Sequence, residues 1–162
     1  MLNKLHLAMI KLYRGDAKRM QHFCKVHSYA KLIAENENMD KKDLFILETA
    51  ALTHDIGIHL CEEKYGNCNG KLQEKEGPAI AKKLLQELGF AEDVSERVQY
   101  LIAHHHTYDK IDGMDYQILV EADFLVNIME DNLSKEAASH AYHKIFKTEC
   151  GKQICRDMFG LC

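Results

Sequence analysis

The stretch Leu47 to Leu60, LETAALTHDIGIHL, constrains this chain more than any other: an apolar helix runs straight into His54-Asp55 and then breaks at Gly57. A helix that ends inside a core leaves polar groups to be satisfied, and burying them without partners costs free energy. An imidazole beside a carboxylate at that point suggests a pair of metal ligands. His54-Asp55 is therefore the expected centre of a metal site.

The rest of the chain reads as helices around it. Leu2 to Tyr13 has apolar residues at helical spacing and stops at Gly15, which suits a left-handed cap. Asp16 can cap a second helix, whose apolar set Met20, Phe23, Val26, Ala30 and Ile33 recurs at three- and four-residue steps with His22 beside it. Asp40, with Asp43 three residues on, resembles a capping box opening the helix that ends at His54-Asp55. Cys61 to Lys71, with two glycines, two asparagines and no period, reads as a loop. Gly77-Pro78 is the expected start of the next helix, with Gly89 closing it. Glu92 to His105 follows, Val94, Val98, Leu101 and Ile102 inward, ending in three histidines. A helix from Asp115 to Glu130 is apolar on most sides apart from Glu121, Asp123 and Asn127, so Asp123 needs a partner. Ser134 caps a helix through Phe146, and a short one spans Thr148 to Phe159.

About eight helices, no period-two strand, one proline and no repeat predict an all-α orthogonal helical bundle. At 162 residues the chain is expected to be one domain, 1–162. A chain of that size buries roughly 68–70% of its unfolded surface and needs no disulfide. The six cysteines have irregular spacings and no C-x-x-C, as expected of reduced thiols; a zinc site from Cys61, Cys68, Cys150 and Cys155 would have spacings that fit poorly. A net charge of −4, with no basic block interleaved with aromatics, argues against general nucleic-acid binding. The N-terminal run MLNKLHLAMIKLYRGD is broken by lysines and a histidine and reads as neither signal peptide nor membrane span, so a cytoplasmic location is expected.

Collecting the polar residues that a helical core should not hold gives His22, His54, Asp55, His104 to His106 and Asp123. Two imidazoles with two carboxylates suit a divalent transition metal (Fe, Mn, Co, Ni or Zn) better than calcium or magnesium. Blander roles stand beside these: hydrogen-bonded core for His27 and His59, surface for His6, His140 and His143, and helix-end imidazoles favoured by the dipole for the triplet. Glu74 and Glu76 read more readily as solvated first-turn carboxylates than as ligands, and Arg14, Lys18 and Arg19 as a solvated face.

The order of these residues resembles a family. HFCKVHSYA at His22 to Ala30, TAALTHDIG at Thr49 to Gly57 and ADFL at Ala122 to Leu125 look like the H, HD, D signature of the HD superfamily of metal-dependent phosphohydrolases. The resemblance covers roughly Tyr13 to Asn127, with helices 134–160 packed on that region. It implies His22, His54, Asp55 and Asp123 as metal ligands, with His22 ahead of His27, which lies about 140° round the same helix. Relatives with two metals use further histidines. His104 and His105 match one of them; where the other belongs the chain reads Gln73-Glu74-Lys75-Glu76, so Glu76 or Glu74 would supply an oxygen, or the second metal is absent and the histidines face substrate.

The activity implied is hydrolysis of a nucleotide or other small phosphoester by metal-activated water, with Asp55 orienting the nucleophile and His104 or His105 a metal ligand or general acid. Arg19, Lys18, Lys71 and Lys64 are the candidate phosphate binders, Arg19 foremost because a guanidinium binds phosphate bidentately. Asn127, one turn after Asp123, could brace it from behind. Two other classes stay open: a di-iron oxygenase, as in a few relatives, and a nucleotide-binding regulatory module without catalysis. Specificity is expected to come from Cys61 to Lys71, Thr107 to Met114 and the C-terminal helices. A homodimer is a fair expectation for a chain of this kind.

Overall fold

Helical periodicity survives almost intact in the folded chain. The structure, a computed structural model, describes residues 1–161; Cys162 lies outside the described residues. Those residues form nine α-helices and no strand: α1 Leu2–Leu12, α2 Ala17–Asn36, α3 Lys41–Thr53, α4 Ile58–Tyr65, α5 Gly70–Glu87, α6 Glu92–His104, α7 Met114–Glu130, α8 Lys135–Ile145 and α9 Glu149–Phe159. The caps follow the sequence chemistry. Asp16 accepts from the Arg19 amide, Asp40 from the Lys42 and Asp43 amides, Ser134 from Ala137 and Thr148 from Gly151.

The core is built on α2, α3 and α7. The α2 stripe Met20, Phe23, Val26, Ala30 and Ile33 is buried as the spacing predicts, and α2 packs against both α3 and α7. On α6, Val94, Val98, Leu101 and Ile102 face inward, with α5 on one side and α3 on another. Helices α8 and α9 pack on each other and on α7. The stretch Lys41–Tyr65 is long and apolar enough to cross a membrane by length and composition, but 72% of its most apolar window is buried within the fold. Its apolarity is that of a core helix.

Two expectations are corrected. Cys61 to Lys71 is not one loop, because α4 runs to Tyr65 and only a short turn separates it from α5 at Gly70. The short helix is held by tertiary partners: Glu62 accepts from Arg19, and the Tyr65 hydroxyl donates to Glu76. Nor does Gly77-Pro78 begin a helix, since both lie inside α5, which starts at Asn69 as its cap. The reason for Gly77 is a close approach rather than a boundary. A Cβ on Gly57 would come 3.0 Å from the Gly77 nitrogen, and a Cβ on Gly77 would come 2.8 Å from Ile102 Cγ2. Two backbones therefore touch directly beneath the His54-Asp55 turn.

Candidate metal centre

Three elements deliver four side chains to one point. α2 supplies His22, the end of α3 supplies His54 and then Asp55, and the middle of α7 supplies Asp123. His22 Nε2 lies 3.2 Å from Asp123 Oδ1 and 3.2 Å from His54 Nε2. His54 Nε2 lies 3.5 Å from Asp123 Oδ1 and 3.6 Å from Asp55 Oδ2.

The proton positions follow from the outer partners. His54 Nδ1 is 3.0 Å from the Ala51 carbonyl, which can only accept, so Nδ1 carries the hydrogen and Nε2 offers its lone pair. His22 Nδ1 is 3.0 Å from Glu130 Oε2 with the same result. The Glu130 carboxyl is held below its usual range: burial opposes this, but Lys25 and His22 outweigh it. With both rings neutral, as metal binding requires, two lone pairs and a carboxylate thus converge with no hydrogen between them. Asp123 Oδ1 is buried and makes no hydrogen bond, which inside a protein calls for a cation. His22, His54 and Asp123 each offer a ligand atom within 4.8 Å of the others, so the donor set fits a divalent transition metal.

A second group adjoins the first. Asp55, His105 and His106 also place ligand atoms within 4.8 Å of one another. Asp55 belongs to both sides: Oδ2 faces His54, while Oδ1 is 3.1 Å from His105 Nε2. The His105 Nδ1 donates to the Ile102 carbonyl at 2.8 Å, again turning Nε2 inward. The buried Tyr13 hydroxyl donates to the Asp55 carbonyl at 2.9 Å and holds the turn in place.

The electrostatics agree with this grouping. Burial disfavours charge on His22, yet Asp123, Asp55 and Glu130 raise it to about 9. Burial likewise opposes ionisation of Asp55, but His54 and His105 bring it down to about 2. Asp123 is held well below the ordinary carboxylate range by His22 and His54 against the same burial cost. His106 is pushed down to about 4 by burial and by neighbouring His105, so it stays a neutral donor.

Several expected site residues lie elsewhere. His104 donates through Nδ1 to the Tyr100 carbonyl at 2.7 Å and stacks on the Tyr100 ring, so it belongs to α6 and not to the cluster. The helix ends there, and the chain turns His105 and His106 inward instead. Glu76 is engaged by Lys64 and Tyr65. Glu74 accepts from Lys71, from the Thr107 hydroxyl and from the His106 amide, so it fastens the histidine segment rather than joining it. The Arg19 fork is spanned by Asp16 at 2.6 Å and Glu62 at 2.5 Å and is not free for a phosphate. With Lys18 it still borders a cavity of about 150 Å³ that reaches His22 and Asp55. Asn127 lines that same cavity and makes no hydrogen bond to Asp123 among the described residues.

His27 pairs with Glu48 at 3.0 Å, away from the cluster. His59 is half-exposed, not core, and pairs with Asp16 at 3.0 Å. None of the described cysteines joins either donor group. Glu130 was missed by sequence reasoning, although it stands seven residues after Asp123, two turns along the same face of α7.

The arrangement agrees with comparisons to known proteins. Among curated proteins none matches the sequence. In solved structures the fold resembles a predicted HD superfamily hydrolase from an uncultured Thermotogales bacterium, with a TM-score of 0.70 and 24% identity over 98% of this chain and 84% of that one. It also resembles Bacillus subtilis YpgQ, with a TM-score of 0.67 and 18% identity over 99% of this chain and 88% of that one. The family model described as HD domain matches residues 19–147, which run from the first turn of α2 to just past α8 and carry every residue of both donor groups. The chain therefore belongs to the HD-domain family.

Proposed function

We propose that the protein is a metal-dependent phosphohydrolase acting on a nucleotide or another small phosphoester. The observation that carries this reading is Asp55, whose two oxygens face two separate groups of inward-turned nitrogen and oxygen donors. His22, His54 and Asp123 with Asp55 would hold one divalent metal, and Asp55, His105 and His106 a second. When bound, such a metal acts as a Lewis acid and lowers the pKa of water from 15.7 to about 7.

The chain's own residues do the rest. Asp55, fixed by Tyr13 through its carbonyl, keeps one oxygen on each donor group and so positions the attacking water between them. His106, neutral and half-buried at the edge of the cluster, is placed to accept a hydrogen bond or to take up a ligand role. Lys18, beside the smaller cavity, supplies a positive charge for the phosphoryl group. Asp55→Ala should remove both metal retention and turnover of nucleotide and aryl phosphates. Retained phosphatase activity in that variant would sink the proposal.

A second reading has one observation of its own. Both groups are two imidazoles with one carboxylate, the pattern of non-haem iron oxygenases. Metal analysis of protein purified without added metal separates the two: iron together with oxygen uptake supports the oxygenase, and hydrolysis without oxygen consumption the phosphohydrolase.

A further inference from the structure

The largest feature adjoining the donor groups is a cavity of about 470 Å³, bordered by Lys71, His106, Tyr108, Asp109, Lys144 and Ile145. Its volume lies within the range of roughly 300–1,000 Å³ of small-molecule sites. His106 belongs both to this cavity and to the group with Asp55 and His105, so the cavity opens from the place where chemistry is proposed. Its walls come from three distant stretches, the start of α5, the segment after α6 and the end of α8.

Those walls are firm. Glu74 ties Lys71, the Thr107 hydroxyl and the His106 amide to one carboxylate. The single Tyr116 hydroxyl hydrogen is shared between the carbonyls of His104 and Thr107. Arg97 clasps Asp115 at 2.7 Å and Asp112 at 3.0 Å, which fixes the far end of the segment. Tyr108 is thereby presented with its ring edge-on to Phe124 and 38% of its surface open.

Two cations of unequal freedom face this space. Lys71 is already shared between Glu74 and Thr107. Lys144 is exposed and has no carboxylate partner among the described residues. Asp109, the acidic member of the wall, suits hydroxyl hydrogens rather than another anion.

Resting on the phosphohydrolase reading, we propose that this cavity receives the organic body of the substrate. Lys144, seconded by Lys71, binds a further anionic group on that body, so the preferred substrate is a small hydroxylated bisphosphate. The reacting phosphoryl group sits at Asp55 and His105, the body lies along Tyr108 with its hydroxyls towards Asp109, and the distal phosphate meets Lys144.

Calorimetric titration of the metal-loaded protein with a hexose bisphosphate and the matching monophosphate tests this. The bisphosphate should bind at least tenfold more tightly, and Lys144→Glu should erase that preference while leaving monophosphate affinity within threefold and metal content unchanged. Lys135→Glu makes the same charge change on the opposite side of α8 and should leave the preference intact. Equal affinities for the two esters, or a preference indifferent to Lys144→Glu, would overturn this assignment and leave the hydrolase reading standing. Failure of the metal-loaded protein to bind or cleave any phosphoester would overturn both.

Discussion

His22 and His54 present their Nε2 atoms to each other across 3.2 Å, while both Nδ1 hydrogens are committed elsewhere, to Glu130 and to the Ala51 carbonyl. Two lone pairs that close repel unless something positive lies between them. In the metal-free protein that is a proton on His22: against the cost of its burial, Asp123, Asp55 and Glu130 raise it from 6.5 to about 9.

The linkage has a definite sign. A histidine raised on folding contributes stability that is fully present below about pH 6.5 and is lost as pH rises through about 9. Asp55, lowered from 3.8 to about 2, contributes stability present above pH 3.8 and lost as pH falls through about 2. Metal-free protein should therefore lose thermal stability between pH 6.5 and 9. Metal-loaded protein, in which the proton has been displaced, should hold its Tm or gain across that window. Unfolding scans with and without chelator check this, and parallel pH profiles for the two forms would contradict it.

Glu130 is the residue that turns His22 inward. Its carboxylate holds the imidazole hydrogen at 3.0 Å, and Lys25 holds the carboxylate at 2.9 Å. Partners of this kind typically carry 10–100-fold of metal affinity. Glu130→Ala should weaken metal binding by about that factor with little loss of helix, measured by competition with a chromophoric chelator. Glu130→Gln, which can still accept from Nδ1, should recover part of it.

Much of this was legible locally. The α2 stripe, the Asp40 cap and the His54-Asp55 helix end are each written within a few residues, and each folds as its spacing predicts. What was not legible depended on partners far along the chain. Glu130 meets His22 across 108 residues, and no pattern local to the end of α7 marks it as a partner. The choice of His105 and His106 over His104 rests on where α6 stops, since one residue turns a side chain by about 100°. Gly77-Pro78 has the signature of a helix start, but its glycine answers to the Gly57 backbone, a contact that no local pattern records.

Glu121 is a buried carboxylate that serves the fold rather than the site. It accepts from the Lys147 amide at 2.6 Å, the Thr148 amide at 3.0 Å and the Gln117 side chain at 2.7 Å, and so docks the start of α9 onto α7. Removing an acceptor that buried donors rely on costs about 1–3 kcal/mol for each one left unpaired. Glu121→Ala should lower stability by about 3 kcal/mol, or roughly 6–12 °C in Tm for a chain of this size. Metal content per folded chain should not change. A Tm within 2 °C of the parent would refute that role.

Gly57 carries the last prediction. It follows the metal-facing turn by two residues, and a Cβ there would stand 3.0 Å from the Gly77 nitrogen and 3.1 Å from its Cα. Both obstacles are backbone, in the interior of α5, and neither can swing aside as a side chain could. The strain must move either α5 or the turn. Moving α5 disturbs Gly77 against Ile102 on α6, and moving the turn shifts Asp55 relative to His105, whose nitrogen is only 3.1 Å away. Gly57→Ala should thus cost stability of about 1–3 kcal/mol, as overpacking does, and weaken metal retention as well. Gly66→Ala provides the contrast, because no atom lies near a Cβ there and its φ of +70 is the sole source of strain. That variant should lose some stability and keep its metal. Differential scanning calorimetry with metal analysis on both variants decides it: full metal content in Gly57→Ala would mean that the turn beneath Asp55 tolerates displacement.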